Sequence, residues 1–447
     1  MRFLFYSTTS EGFNPSVERT MRPSKADEWD GIAAKYPEHE FIVMAPLPGL
    51  YLFDVVGDGI KRYPEKVKYV VIDRTETVEE IADKIASYEP DIAVAVAIAG
   101  TPHDWNPIKE TMIAEALEKK GISTLAQNMN VSLGSFDKWR TNIMLRVSGA
   151  KIAKGVYVHY GLLNTDKNNK SIKDNVYKEY IMNRIHQMNF PIIIKDTLGS
   201  GSMGIQVAAS FEEAEAVLSS DKLDTDVIAE ELIQGEQFGT EIHGVKGRYS
   251  VLPPFVFSTN KEGITDPYQS VKFGPVSDEK YGIEKLQKSL IELAEKLELA
   301  GTTQVDLVYK DGEWYIIELN PRWSGMTTTA AAAEERCAFS IFVDSVLGVD
   351  KNYSKPCNVK YVMNFKVPGL TEEQLETISK LPFVKNVMQF HMNVPGRPEV
   401  FISEIIIGGA ETTKELWDRF LEIDRMYPGL IPQSTKDNAK ILVDNYR

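Results

Sequence analysis

A chain of 447 residues is too long for one ordinary hydrophobic core, and the usual size of domains predicts roughly three compact units. Hydrophobic residues make up 43% and charged residues 26%, which is typical of a globular protein. The net charge of −14 argues against a general nucleic-acid-binding protein, although a local basic cleft could still bind phosphates. We therefore expect no nucleic-acid partner.

The cysteines and the apolar stretches predict where the protein is found. Cys337 and Cys357 are the only cysteines, so no disulfide framework is implied and we expect a reducing, cytoplasmic environment. A single bridge between them stays an open alternative. The first residues, MRFLFYSTTSEG, lack the apolar core of a signal peptide, and no apolar run reaches membrane-spanning length. We therefore expect no membrane partner.

Residues 1–125 alternate apolar strand patterns with helical patterns, which predicts an α/β unit with parallel strands. The predicted strands are residues 2–6, 41–45, 67–72 and 92–98, and the predicted helices are residues 75–88 and 106–120. Open α/β sheets bind ligands at the carboxyl ends of their strands, so the loops at 7–12 and 100–106 are candidates for substrate contact. His103 and Asp104 are the candidate residues, and polar loop residues without a partner are an equal alternative.

Two long segments have irregular patterns. Residues 13–29 contain three basic residues and lack a clear strand or helix pattern, so a substrate-covering insertion and a surface excursion are equally consistent with them. Residues 257–278 are polar and punctuated by Gly and Pro, which is typical of a lid. Lys261 and Lys272 in this lid are candidates for contacting a phosphate, and two solvated lysines are an equal alternative.

A glycine-rich turn, GSGSMG at residues 199–204, follows an apolar strand that ends in Lys195. Glycines allow positive φ angles and bring backbone N–H groups close to an anion, and the serine hydroxyls add donors. The lysine precedes the glycines and a strand follows them, so the pattern is neither a P-loop nor a dinucleotide fingerprint. A phosphate-binding hairpin is predicted, with an ordinary tight hairpin as the alternative. The candidate phosphate contacts are Lys195, Ser200, Gly201, Ser202, Met203 and Gly204.

Two apolar runs at residues 304–309 and 314–319 are joined by a polar link with Asp-Gly at its centre, which predicts a β-hairpin. Asp306 lies on the first strand, and the spacing of Glu318 and Asn320 puts both side chains on one face of the second. Three hard oxygen donors on one patch predict a Mg²⁺ site, with Mn²⁺ as an alternative metal. Solvated strand carboxylates are the other interpretation, but unpaired charges among Val, Leu and Ile would be costly.

The last hundred residues predict a small α+β unit. Residues 330–347 are predicted as one helix, and the composition then changes to a polar linker at 352–356. Strands are predicted at 358–367, 384–391 and 399–408, and helices at 371–381 and 414–426. The one candidate for chemistry in this unit is His391, for which a structural role is the usual alternative.

Four motifs in this order resemble the ATP-grasp superfamily over nearly the whole chain. Asp306 with Glu318-Leu319-Asn320-Pro321-Arg322 resembles the metal-binding end of the biotin carboxylase and amino acid ligase branches. Ser324-Gly325-Met326-Thr327 resembles D-alanine:D-alanine ligase, and Asp137-Lys138 resembles the segment that opens the ATP-binding part. Lys195 before a glycine-rich hairpin is similar to the loop that covers the phosphates.

The resemblance implies a fold of the α/β and α+β classes. It is an ATP-grasp fold with an N-terminal Rossmann-like (pre-ATP-grasp) domain at residues 1–125 and an ATP-grasp domain at 126–350. Within that domain, the nucleotide-binding subdomain covers about 150–235 and the metal-binding, catalytic part about 236–350. A small C-terminal α+β domain covers residues 355–447.

The resemblance also implies roles in binding ATP. Lys138 would approach the phosphates, for which a compact ammonium is suited. Residues 226–242 match the family's E-x-x-I-x-G-x-x-F linker, so the side chain of Glu230 and nearby backbone groups would meet the adenine. Glu236 would hold the ribose, but the family has its glutamate one place later, at Gln237. The implied ATP contacts are Lys138, Glu230, Glu231, Leu232, Ile233, Glu236 and Gln237.

The function implied is an ADP-forming ligase that activates a carboxylate as an acyl phosphate and joins it to an amine, with amino acids or peptides as substrates. The catalytic candidates are Arg322, whose planar fork matches carboxylate and phosphate, and Lys195. The D-alanine:D-alanine ligases have an arginine where this chain has Gln304, which puts that particular activity in doubt. The candidate substrate contacts are His103, Asp104, Glu241, Lys261, Ser324 and Gly325.

Three alternatives stay open. Glu241 faces the phosphates or the metal, or is an ordinary surface carboxylate of its strand. Carboxylation or kinase-like phosphorylation could replace ligation, and a non-catalytic ATP-binding module is the non-enzymatic alternative. The partners expected are a small carboxylate and an amine, and a homodimer is the default oligomer.

Overall fold

The computed structural model describes residues 1–9, 20–47, 52–56, 59–98, 105–169, 171–198, 205–220, 223–261, 263–265, 269–348, 359–392 and 400–446. Strands in these ranges form three larger sheets and one two-stranded sheet. None of the helices in these ranges is both long enough and apolar enough to cross a membrane. Cys337 has a free thiol, and Cys357 lies outside the described residues.

The N-terminal part contains the predicted parallel sheet, and helices cover both of its faces. Its elements are β1 (Arg2–Tyr6), β2 (Thr20–Arg22), α1 (Lys25–Lys35), β3 (Glu40–Pro46), β4 (Asp54–Val56), β5 (Gly59–Arg62), β6 (Lys68–Ile72), α2 (Val78–Ala86), β7 (Ile92–Ala95), α3 (Asn106–Lys119) and β8 (Ser123–Leu125). The sheet order is β6-β3-β1-β7-β8. Alternation along β1 buries Phe3 and Phe5 against α1, and Leu4 and Tyr6 against α2 and α3.

Residues 13–29 have more structure than their irregular pattern indicated. Within the described residues from 20 onward, β2 forms a short strand and α1 begins at Lys25, capped by the side chain of Ser24. The expectation of a segment without a strand or helix was therefore wrong for its second half. The strand partner of β2 is far along the chain, so local sequence gave little sign of it.

The second part carries a small antiparallel sheet in the order β11-β10-β12-β9. Its elements are α4 (Met129–Phe136), α5 (Lys138–Val147), β9 (Gly155–Val158), α6 (Tyr160–Leu163), α7 (Thr165–Asn168), α8 (Val176–His186), β10 (Ile192–Asp196), β11 (Gln206–Ala208), α9 (Phe211–Ser219) and β12 (Val227–Glu231). The strands on both sides of the glycine-rich turn pair with each other, as predicted, whereas residues 199–204 lie outside the described residues.

The rest of the described chain is organised by one ten-stranded sheet. Its elements, with a 3-10 helix at Glu279–Tyr281, are β13 (Glu236–Val245), β14 (Arg248–Val251), β15 (Phe255–Phe257), β16 (Lys272–Gly274), α10 (Ile283–Leu297), β17 (Gly301–Lys310), β18 (Glu313–Asn320), α11 (Gly325–Ala333), α12 (Ser340–Leu347), β19 (Tyr361–Pro368), α13 (Glu372–Ser379), β20 (Val384–Met392), β21 (Val400–Ala410), α14 (Thr413–Met426) and α15 (Gln433–Asn445). The order is β18-β17-β13-β15-β16-β19-β21-β20-β2, with β14 paired to β13. The three predicted C-terminal strands therefore continue the sheet that holds the predicted metal hairpin.

Two local predictions near this hairpin had different outcomes. The hairpin itself is confirmed: β17 and β18 pair antiparallel, and Asp311 and Gly312 at the turn have φ of 51° and 82°. The single helix predicted at 330–347 was wrong, because α11 ends at Ala333 and α12 begins at Ser340. Between them, Glu335 has a φ of 51°, which no continuous right-handed helix permits.

Candidate functional site

The β17–β18 hairpin brings the predicted metal residues to one face. Asp306 lies directly opposite Glu318, and Gln304 lies opposite Asn320, with a bulge after Asp306. Gln304 Nε2 donates to Asp306 Oδ1 at 2.7 Å, and Arg322 Nη2 donates to Asn320 Oδ1 at 3.1 Å. All five side chains line one cavity of about 640 Å³.

The two carboxylates of this hairpin have unlike environments. Loss of hydration, followed by the negative charge of Glu318, raises the pKa of Asp306 to about 7. Loss of hydration also opposes ionisation of Glu318, but the positive charges of Lys138, Lys195 and Arg322 hold its pKa below the ordinary value. Two adjacent carboxylates therefore share the cavity with three cations whose charges act on Glu318.

The predicted metal site contains few protein carboxylates. Within the described ranges, no group of three or more His, Cys, Asp or Glu side chains could hold a metal ion. The patch instead combines the carboxylates of Asp306 and Glu318 with the amide oxygen of Asn320. This composition is the one that suits Mg²⁺, because Mg²⁺ takes one or two carboxylates and completes its shell with water and phosphate oxygens.

Lys138 and Lys195 line the same cavity. Lys195 Nζ lies 2.6 Å from the carboxylate of Glu230, which also accepts from Asn142 Nδ2 at 3.0 Å. Lys138 begins α5, and its N–H donates to the carbonyl of Thr197 at 2.8 Å, just before the glycine-rich turn. Burial lowers the pKa of Lys138, while the charge of Glu318 opposes this effect.

The linker after β12 forms another part of the lining, through Glu230, Glu231, Leu232, Ile233 and Gln237. The N–H groups of Glu231 and Leu232 donate to the carbonyls of Lys154 and Pro191 at 2.9 and 3.0 Å. The amide of Gln237 donates to the carbonyl of Gly263 and accepts from the hydroxyl of Thr265, so it ties the linker to the predicted lid. Glu236 is turned to Tyr281 and Lys280 and is absent from the described cavity lining.

The other predicted residues divide into three groups. Ser324, Gly325 and Lys272 line the cavity, whereas Lys261 is exposed and does not contribute to the described lining. The predictions that lie outside the described residues are His103, Asp104, Ser200, Gly201, Ser202, Met203 and Gly204. His391 lies on β20, and nothing is described of its side chain.

Glu241 is fully buried, so the alternative of a surface carboxylate was wrong, but it is also absent from the described cavity lining. Thr327 Oγ1 donates to it at 2.6 Å, and Ser324 Oγ does so at 3.4 Å. Its second oxygen lies 2.7 Å from His243 Nε2. These contacts fix the beginning of α11, the helix that follows the predicted metal residues.

The N-terminal sheet positions the segment that carries Arg322. The N–H of Trp323 donates to the carbonyl of Ala97 at 2.9 Å, and Ile98 forms a parallel bridge with Trp323. The indole also packs against Phe339, with ring centroids 4.8 Å apart. Arg322 is therefore held where the carboxyl end of β7 meets the end of β18.

Several residues that line the cavity were not predicted from the sequence. Asn142 lies one helical turn after Lys138, and that spacing was a usable signal. Lys366, Met388 and Glu404 come from β19, β20 and β21, and they line the cavity because these strands join the central sheet. No local pattern predicted that pairing.

Comparison with known sequences gives the following likenesses. The sequence model of the ATP-grasp domain matches residues 162–326. A carbamoyl-phosphate synthase of Methanobrevibacter smithii is 27% identical over 157 residues, which is 34% of this chain and 42% of that protein. A D-alanine–D-alanine ligase of Desulforamulus reducens is 27% identical over 169 residues, which is 36% of this chain and 53% of that protein. The chain thus spans about half the length of these relatives.

Solved structures resemble this one over almost its full length. The L-amino acid ligase of Bacillus licheniformis has a TM-score of 0.61 at 13% identity, covering 95% of this chain and 97% of that one. The biotin carboxylase domain dimer of Hydrogenobacter thermophilus 2-oxoglutarate carboxylase, in complex with MgADP and bicarbonate, has a TM-score of 0.59 at 14% identity, covering 95% and 90%. At such identities the likeness is one of fold.

Proposed function

We propose that this chain is an ADP-forming ligase that activates a carboxylate with ATP and joins it to an amine, and the match of residues 162–326 to the ATP-grasp domain supports the proposal. The proposed substrates are amino acids or peptides. The observation that carries the proposal is the pair Asp306 and Glu318 in one cavity with Lys138 and Lys195. Two carboxylates and two ammonium groups in one cavity suit a metal ion bound to a triphosphate.

We propose Asp306, Glu318 and Asn320 as ligands of Mg²⁺, and Mn²⁺ would accept the same oxygen donors. The residues fit a cation, because Asp306 and Glu318 repel each other and the charge of Glu318 opposes ionisation of Asp306. When bound, the metal would neutralise charge on the phosphates. Lys138 and Lys195 are proposed to bind those phosphates, and residues 200–204 stay predicted phosphate contacts.

The linker is proposed to bind the nucleoside. The N–H groups of Glu231 and Leu232 are already engaged, so adenine contacts would use their carbonyl groups, Ile233 and the side chain of Glu230. For the ribose we propose Gln237 rather than Glu236, because Gln237 lines the cavity. Lys195 would then exchange part of its contact with Glu230 for a phosphate oxygen.

The proposed reaction has two steps. A carboxylate oxygen attacks the γ-phosphorus, the bond to ADP breaks, and an acyl phosphate forms. The amine then attacks the acyl carbon, the C–N bond forms, phosphate leaves with the C–O electron pair, and the amine loses a proton. Arg322, held by Asn320 and the carbonyl of Trp323, is proposed to bind the carboxylate and then the oxyanion.

The test is release of ADP and phosphate, screened over the twenty common amino acids singly and in pairs. Ligation predicts release only with an acid and an amine together, and a joined product by mass spectrometry. Glu318→Gln should lower the rate by about 10² to 10³-fold, the range known for removing one charge-stabilising group. The matched control is Glu313→Gln on the same strand, whose carboxylate is half exposed beside Lys151. The proposal would be wrong if no pair of amino acids led to release of phosphate.

The alternatives give other outcomes in the same screen. Carboxylation or kinase-like phosphorylation predicts turnover with one substrate, or with bicarbonate, and no joined product. A non-catalytic module predicts ATP binding without turnover.

We also propose a homodimer, for which light scattering would give twice the mass of the chain.

A further inference from the structure

Three strands of the C-terminal part form one wall of the cavity. Lys366 on β19 and Met388 on β20 both lie directly opposite Glu404 on β21. Side chains directly opposite each other on paired strands leave the same face, and all three line the cavity. The wall therefore presents one carboxylate, one ammonium and one flexible apolar side chain side by side.

Glu404 is held in a defined position. It is 8% exposed, and its Oε1 accepts a hydrogen bond from Asn364 Nδ2 at 2.9 Å. The same amide donates to Thr329 Oγ1 on α11 at 2.9 Å, which fixes its orientation. A carboxylate removed this far from water gains strongly from a cationic ligand group in the cavity.

Lys272 lies close to Glu404, at the beginning of α11. A Cβ atom added to Gly325 would be 3.6 Å from Lys272 Nζ and 3.9 Å from Glu404 Oε1. Both charges thus border the same small space, which is left open because residue 325 has no side chain. Lys272 also lies near the metal residues, since its charge acts on Asp306.

We propose that this space is the subsite for the activated acid, and that the acid is an α-amino acid whose ammonium binds Glu404 and whose carboxylate binds Lys272 and Arg322. An amino acid carries its two charges on neighbouring carbon atoms, which suits two opposite charges bordering one space. The inference rests on the proposed function, because the carboxylate would then meet the γ-phosphate beside Asp306. The ammonium at Glu404 is not the attacking amine, so its binding does not block ligation.

The apolar part of the ligand also has a place. Met388 is 9% exposed in the same wall, and Phe257 lines the cavity with its ring centroid 5.5 Å from Lys272 Nζ. A methionine adapts to side chains of different shape, so this subsite is expected to accept more than one apolar amino acid. Selectivity would then come mainly from the ammonium group.

The test compares amino acids with the same acids lacking the amino group. The probe pairs are alanine and propionate, leucine and 4-methylpentanoate, and phenylalanine and 3-phenylpropanoate. Binding is measured by calorimetry with Mg²⁺ and a non-hydrolysable ATP analogue. The full chain should bind at least one amino acid about 10- to 100-fold more tightly than its partner, as a hydrogen bond to a charged group allows.

Glu404→Gln should reduce this preference to within about threefold, because it removes the charge but keeps the oxygen that accepts from Asn364. The matched control is Glu411→Gln, an exposed carboxylate beyond the end of β21 that pairs with Lys360, and it should keep the full preference. Gly325→Ala is a second variant, since its methyl group would meet neighbours only at ordinary contact distance. It should weaken amino acid binding and leave binding of the ATP analogue unchanged.

Two results would overturn this subsite: equal binding of amino acids and deaminated acids, or an unchanged preference in Glu404→Gln. Failure of the proposed function looks different. If deaminated acids support phosphate release with an amine as well as amino acids do, the ligase proposal stands and this inference falls. If amino acids bind with the expected preference but no pair supports release, the subsite stands and ligation falls.

Discussion

Two groups of charged side chains in this molecule can be compared, those of the β17–β18 hairpin and those around Arg336. In the hairpin, Asp306 and Glu318 face each other and share the cavity with cations. In the second group, Arg336 lies between Glu334 and Asp344 at 2.6 and 3.0 Å, and all three side chains are at most 8% exposed. In the second group a cation lies between the two carboxylates, whereas in the first the two carboxylates are directly opposite each other.

This difference between the two groups indicates two roles for buried charge, one in stability and one in binding. Around Arg336, the hydroxyl of Tyr36, the residue after α1, also donates to Asp344, so the network connects the end of α1 to α12 through protein groups. For the hairpin we propose a cation that comes from outside the chain. We therefore expect substitutions in the hairpin to change activity more than stability, and substitutions around Arg336 to do the reverse.

Asp306→Asn is expected to have the largest effect, and it tests whether the hairpin serves activity rather than stability. Phosphate release should fall about 10² to 10³-fold, because one proposed metal ligand loses its charge. The midpoint of thermal unfolding without Mg²⁺ should stay the same or rise, because a like charge beside Glu318 is removed. A large loss of stability with Mg²⁺-dependent activity intact would reverse the assignment. Glu313→Gln serves as the control on this hairpin as well.

Arg336→Met should cost about 3 to 5 kcal/mol of stability, because Glu334 and Asp344 would stay buried without their cation. Denaturant unfolding followed by fluorescence measures the effect. The control is Arg425→Met, an exposed arginine on α14, which should cost little. Equal effects of the two substitutions would show that the network adds nothing.

Glu110 sharpens the comparison, because it is a buried carboxylate that has donors but leaves one oxygen without a partner. Burial raises its pKa to about 8, well above the 4.5 of the free side chain. The folded state therefore holds this proton longer than the unfolded state, and stability should fall as the pH rises from about 4.5 to 8.

The slope for this single proton is at most about 1.4 kcal/mol per pH unit. Glu110→Gln should flatten the profile and be the more stable form at pH 8, as thermal unfolding from pH 5 to 9 would measure. Parallel profiles for the two proteins would contradict the shifted pKa of Glu110.

Tyr36→Phe should give the smallest effect. It removes one hydrogen bond to Asp344 and leaves the pair with Arg336, so a loss of about 1 kcal/mol is expected. Tyr63→Phe is the control, since Tyr63 is 61% exposed. A loss as large as that of Arg336→Met would mean that Tyr36, rather than the ion pair, holds the network together.

Sequence patterns were sufficient to predict features that depend on a single element, such as one hairpin or one helix start. The hairpin was predictable because Asp-Gly supports its turn and the strand period of two puts Glu318 and Asn320 on one face. The start of α5 was predictable because Asp137 caps the helix that Lys138 begins. The roles of these residues in binding metal and phosphate stay predictions.

Sequence patterns did not predict features that depend on contacts between residues far apart in the chain. The pairing of β2 with β20 and the burial of Glu241 under Thr327 join residues far apart in the chain. The break between α11 and α12 coincides with the Arg336 network, which draws on His243 and Asp344. Alanine-rich sequence around Ala333 favours a continuous helix, but long-range contacts override such a preference.

By itself, the sequence determined the β17–β18 hairpin, the start of α5, and the facing of Asp306 and Glu318, because these depend on residues close to each other in the chain. Only the tertiary structure decided that β19 pairs with β16, and so that Lys366 and Glu404 reach the cavity. The physical reason is that the period of a strand selects the face of each side chain, whereas its neighbour in the sheet is selected by packing of the whole chain.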